Sequence, residues 1–108
     1  MAGVVHIGWY ATVWRGDRLE EALGQIAPLA LRHGATEFSV HRSRDDPYKL
    51  LQMSWFESKL DWERYWYGAD FIQWRAEFSS FYQVPVLYVW HDIVHHGQLD
   101  VVNGEVAI

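Results

Sequence analysis

The chain has 108 residues, 50% of them hydrophobic and 17% aromatic, with 7 tryptophans, no cysteine and a formal net charge of −5. This length fits one domain with a modest core, and the missing cysteines remove disulfides, thiolate metal sites and a cysteine nucleophile together. An acidic chain without a run of Lys or Arg lacks the positive groove that aromatic stacking platforms use, so no nucleic-acid partner is expected.

Met1, Ala2 and Gly3 lead directly into a strand pattern, with no basic segment before an apolar run, so no signal peptide is expected. The apolar stretches are too short to span a bilayer, and the expected location is the cytoplasm, with no membrane partner. Residues 4–14 (VVHIGWYATVW) are β-branched and aromatic and predict the first strand. Val5, Ile7, Trp9, Ala11 and Val13 lie on one face; Val4, His6, Gly8, Tyr10, Thr12 and Trp14 lie on the other. A helix follows, with Asp17 as the expected N-cap, Glu20 at the capping-box position and Leu19, Leu23, Ile26 and Ala30 at helical spacing. Pro28 predicts a kink and Gly34 the end of this helix.

Residues 35–44 and 48–56 predict two strands joined by a turn at Asp45-Asp46-Pro47. Ser58 is the expected cap of the next helix, Gly68 interrupts it, and Asp70 caps a continuation carrying Phe71, Trp74, Phe78 and Phe81. Residues 84–95 predict the last long strand. The order β-α-β-β-α-β is the ferredoxin-like split βαβ: an α+β fold with a four-stranded antiparallel sheet and two helices on one face. Residues 1–96 form this domain. Residues 97–108 form a tail: a hairpin about Asn103-Gly104, an arm over a partner, or equally a disordered end.

Three of the four strands are apolar on both faces, and the helices can cover only one. The other face is expected to be covered by a second copy in a two-fold homodimer.

With this order in place, the segment from residue 51, LQMSWFESKLDWERYWYGADF, resembles the signature of the antibiotic biosynthesis monooxygenase family, small dimeric α+β barrels. The preceding GATEFSVHRSRDDPYKLLQMSWF resembles the family's hairpin, and the likeness covers most of residues 4–94. One branch oxidises polyphenolic or anthrone-like compounds with oxygen and no cofactor, in a pocket between sheet and helices. The resemblance puts Trp55 at its strand-end Trp, Trp62 at the aromatic of the next helix, and Leu51 where a polar Asn is usual. By the family's strand phase Trp9 and Trp55 both face the helices. A second branch binds and degrades haem; there Trp9 falls at its strand-one Asn, Tyr65 at its helical Trp and Arg75 at its haem-ligating His.

The chemistry of such an oxygenase needs an apolar pocket, a group to hold a phenolic proton, and exclusion of water. Trp62, Tyr65 and Trp66 fall at i, i+3, i+4 on one helix face, which reads as core or as pocket wall. Arg75 reads as an exposed partner of Glu77 or Asp70, or as an anchor for an anion. The site expected from these readings has Trp55, Tyr65 and Arg75 as catalytic or polar groups, with Trp9, Leu51, Trp62 and Trp66 binding the substrate. No metal and no other cofactor is expected, since neither a ligand cluster nor a Gly-rich phosphate loop occurs. The expected function is a cofactor-independent monooxygenase of a small aromatic substrate. The alternatives are a binder of a hydrophobic ligand such as a haem-like ring, or a protein whose aromatics serve assembly alone.

Overall fold

Alternating β-branched and aromatic residues build four strands that each turn one side into the core. In the computed structural model, which describes residues 2–102 and 105–107, β1 spans Gly3–Tyr10, β2 Ala35–Arg42, β3 Lys49–Phe56 and β4 Leu87–Asp92. They form one sheet in the order β2-β3-β1-β4, with every neighbouring pair antiparallel. With α1 (Gly16–Ile26), α2 (Lys59–Trp66) and α3 (Ala69–Glu77), this is the expected ferredoxin-like α+β arrangement.

β1 is shorter than the sequence pattern suggested. After Tyr10 a single bridge, Ala11 to Tyr82, replaces the ladder, and Trp14 turns the chain with φ of 66°. The expected cap on α1 is also corrected: no side chain caps it, and Asp17 sits in its first turn with its carboxylate 2.6 Å from Arg42 on β2. Pro28 ends α1 instead of kinking it, because a 3-10 segment, Ala27–His33, takes over with proline in its first turn. Gly34 closes that segment at φ 100°, the left-handed conformation expected there.

Ser58 caps α2, accepting a hydrogen bond from the Asp61 backbone N–H. The break falls at Gly68, which is itself the residue before α3; Asp70 lies inside the first turn and is not the cap. The break re-aims the chain, so that Trp62, Tyr65 and Trp66 before it and Phe71 and Trp74 after it are all buried. β4 starts at Leu87, later than the sequence pattern suggested. Beyond it, β5 (Asp100–Val102) and β6 (Glu105–Ala107) pair with each other in a separate two-stranded sheet; Asn103 and Gly104 lie outside the described residues. Among the described residues no helix is long and apolar enough to cross a membrane.

Candidate functional site

Between the sheet and the helices, three polar tips meet inside an aromatic interior. Trp9 of β1 donates its indole Nε1–H to Gln52 Oε1 on β3 at 3.1 Å. Gln52 Nε2 donates to the Tyr65 hydroxyl of α2 at 3.2 Å, and that hydroxyl donates to the Ile26 carbonyl at the end of α1 at 2.6 Å. All three side chains are buried. In a dry interior an indole N–H and a phenol each need a partner, and a primary amide both accepts and donates. The chain thus ties β1, β3, α2 and α1 together.

The rings around it close on one another. Trp9 lies edge-on to Tyr82 at 5.0 Å and to Trp74 at 5.3 Å; Phe71 is 4.8 Å from both Tyr65 and Trp66. These are spacings of direct ring contact. Trp74 joins the packing by donating to the Ala22 carbonyl at 2.8 Å. The expected walls Trp9, Trp62 and Trp66 thus line one aromatic interior with Tyr65, Trp62 and Trp66 stacking at 5.4 Å.

Trp55 and Leu51 lie elsewhere. Directly paired residues of neighbouring strands point to the same side, and Val4 pairs with Trp55 and Gly8 with Leu51, whereas Trp9 pairs with Leu50. The expectation that Trp55 shares the Trp9 face is corrected: Trp55, Met53 and Leu51 face away from the helices. Leu50, Gln52, Ser54 and Phe56 face them and are buried. One residue of phase moves the whole strand. In the observed phase a polar residue, Gln52, stands one strand turn before an inward aromatic, Phe56, with Trp62 beyond it on α2. Gln52 was passed over because both faces of β3 carry large apolar residues. Its signal was its place in register with Ile7, on the Trp9 face of β1.

Electrostatics separate the two remaining candidates. Burial pushes the Tyr65 phenol far above its ordinary range, and the Gln52 hydrogen bond only partly opposes this. Tyr65 is therefore a neutral hydrogen-bonding group and no base at neutral pH. Arg75 is half-buried with its guanidinium 4.0 Å from the Trp66 ring centroid and 5.0 Å from that of Phe71. It donates to the Trp66 carbonyl at 2.9 Å. The expected pairing with Glu77 or Asp70 is absent among the described residues; Asp70 instead stands 3.8 Å from His33. Arg75 thus holds a positive charge at the rim of the aromatic interior with no carboxylate partner among the described residues. Desolvation lowers its pKa, with Tyr82 and Tyr67 acting in the opposite direction.

The opposite sheet face carries Val4, His6, Leu51, Met53, Trp55, Leu87 and Val89, and Leu87 is 69% exposed. His6 and His91 stand there with ring centroids 5.1 Å apart. At one end of this face a groove of about 850 Å³ runs between Trp55, Glu37 and Glu57 on one side and Ile93, His96 and Gln98 on the other.

No family model and no curated protein matches the sequence. Solved structures do. A candidate antibiotic biosynthesis monooxygenase from Nitrosomonas europaea matches with a TM-score of 0.75 at 18% identity, over 83% of this chain and 88% of that one. One of the same description from Bordetella bronchiseptica matches at 0.74 and 20%, over 88% and 100%. The chain shares the fold of these two proteins. SnoaB, a cofactor-independent oxygenase from Streptomyces nogalater, shares it with a TM-score of 0.72 at 10% identity, over 87% of this chain and 95% of that one. At these identities the likeness speaks for the fold, and function has to be argued from the site.

Proposed function

We propose that the protein is a homodimeric, cofactor-independent monooxygenase acting on a small, flat, electron-rich aromatic compound such as a hydroquinone or an anthrone. The observation that carries this reading is the buried Gln52 amide held between Trp9 and Tyr65. An apolar core needs no amide at its centre, and burying one is costly unless it is fully hydrogen-bonded. The fold shared with an oxygenase that uses no cofactor supports the same reading.

In this account Trp9, Trp62 and Trp66 wall the site and exclude water. Arg75 stabilises the phenolate or enolate of the substrate at the rim, since among the described residues its charge has no carboxylate to neutralise it. Tyr65 and Gln52 orient; they do not take the proton. For an anthrone, one atom of O2 replaces the two hydrogens of the reacting CH2 as a carbonyl. The other atom leaves with those hydrogens as water, so the substrate supplies all four electrons and no external reductant is required. Trp55 and Leu51 belong, in this reading, to the surface that pairs with a second copy. That face is too apolar for water and is left uncovered by the helices.

A second reading has its own support. The interior rings meet in direct contact, and on that ground the aromatics serve packing and assembly alone. Oxygen uptake with a hydroquinone or an anthrone, in metal-chelated buffer, separates the readings. Uptake that places one atom of O2 in the quinone product supports the oxygenase; no uptake above the uncatalysed rate with either compound leaves assembly.

A further inference from the structure

Two buried polar atoms near the Gln52 chain have no partner among the described residues: Ser54 Oγ on β3 and the Trp62 indole Nε1 on α2. Both residues are essentially sealed from solvent, at 1% and 0% exposure. Two neighbouring interior indoles do have partners, Trp9 in Gln52 and Trp74 in the Ala22 carbonyl. A buried donor or acceptor left alone costs stability, and native interiors seldom keep one without a use.

The two atoms belong to one neighbourhood. The Trp62 ring lies 6.1 Å from Phe56 and 5.1 Å from Tyr88. Phe56 is two residues beyond Ser54 on the same inward face. Tyr88 pairs with Ile7, two residues along β1 from Val5, the direct partner of Ser54. An indole that touches both of these rings spans the Ser54–Val5 row of the sheet.

We infer that Ser54 and Trp62 form an oxygen-binding pair for the ring hydroxyl of a phenolic ligand. The inference rests on the oxygenase reading above and specifies how its substrate is held. An indole is a donor only, whereas a serine hydroxyl both donates and accepts. A phenolic oxygen accepts from Trp62 Nε1–H while its own proton goes to Ser54 Oγ. A quinone carbonyl has no proton to give, and it accepts from both once the Ser54 hydroxyl rotates. The pair thus suits both the reduced and the oxidised form of one ring. The ring reaches it by the Trp66–Tyr88 edge, where Trp66 and the half-buried Tyr88 are less enclosed than Trp62. Arg75, stacked on Trp66, stands at the same edge.

The test compares the full-length protein with Ser54→Ala and Trp62→Phe, reading thermal midpoint and the binding of phenol against its isostere toluene without oxygen. The wild type is expected to favour phenol by at least about tenfold, as a site built for a hydroxyl does. Ser54→Ala is expected to lose that preference while its free thermal midpoint holds or rises, because no protein hydrogen bond is removed. Trp62→Phe loses the preference as well and is the second measure should either variant fold poorly. A wild type without preference for phenol, or variants that keep it, overturns the inference; so does a lowered midpoint in Ser54→Ala with unchanged binding, the mark of an internal water. Preference for phenol without any oxygen uptake would sink the oxygenase reading and leave this pair standing. Uptake with unchanged preference in both variants does the reverse.

Discussion

Gln52 is the residue on which the interior turns. Replacing it by leucine keeps the volume and removes both hydrogen bonds, leaving the Trp9 indole N–H without its acceptor. Loss of a buried partner of this kind costs about 1–3 kcal/mol. A urea titration of Gln52→Leu should therefore show a lower midpoint with an unchanged slope, and an unshifted midpoint would mean the amide is idle. Tyr65 makes a second residue-scale prediction. Its phenol is held neutral by burial. In an absorbance titration at least one tyrosine fewer should ionise near pH 10 in wild type than after denaturation, since burial raises the Tyr65 phenol furthest; full ionisation in the native state would contradict the buried chain. A phenol with a raised folded pKa contributes stability below its unfolded pKa of about 10 and loses it as pH rises beyond. At this scale the sequence was partly legible. The spacing of Trp62, Tyr65 and Trp66 placed them on one buried stripe, and Trp9 faced them as expected. Trp55 was misplaced because both sides of β3 carry large apolar groups, so hydrophobicity could not fix the phase.

Among the elements, the helical layer depends on its interruptions. Gly68 separates two stripes that one continuous helix could not both bury. A β-carbon there would stand 2.6 Å from the Arg64 carbonyl oxygen, a backbone atom that cannot move aside alone. Gly68→Ala should lower stability by about 1–3 kcal/mol, in the range of overpacked interiors. Thermal unfolding would measure it, and a midpoint equal to wild type would show that the break needs no glycine. The position of this break was readable from the two hydrophobic stripes either side of one glycine. The end of α1 at Ile26 was not, since a proline inside an apolar pattern fits a kink as well as a change to 3-10 geometry. The caps at Asp17 and Asp70 failed for a related reason: an acidic residue in the first turn is favourable whether or not it is the cap. Asp17 is in addition drawn to Arg42.

For the whole molecule, the apolar sheet face and its histidines link assembly to pH. Desolvation, with the neighbouring His91 adding to it, lowers the His6 pKa below its ordinary 6.5. Apart from His91, its neighbours on the same face are uncharged: Met53 and Val89 directly across, with Leu51, Trp55 and Leu87 diagonal to it. A histidine depressed in this way binds its proton more weakly when folded. The stability it contributes is complete above about pH 6.5 and is lost as pH falls through that value. Covering the face with a second copy deepens the effect, so the proposed dimer should dissociate on acidification from pH 7.5 to 5.5. Light scattering after gel filtration would follow this, and His6→Gln should blunt the response. A monomer at both pH values would sink the dimer, while an unchanging dimer would sink only the histidine link. The two-faced strands made this surface visible in the sequence, since it follows from composition along each strand and needs no knowledge of phase.

The central claim is that the interior around Gln52, and no part of the outer face, does the work. It is tested most directly by oxygen uptake with an anthrone in wild type, Gln52→Leu and Trp55→Ala. The account predicts uptake by the wild type, a loss of about 100-fold in Gln52→Leu, on the scale of a site displaced by about 1 Å, and a rate per folded molecule close to wild type in Trp55→Ala. Loss in Trp55→Ala with full activity in Gln52→Leu would contradict it.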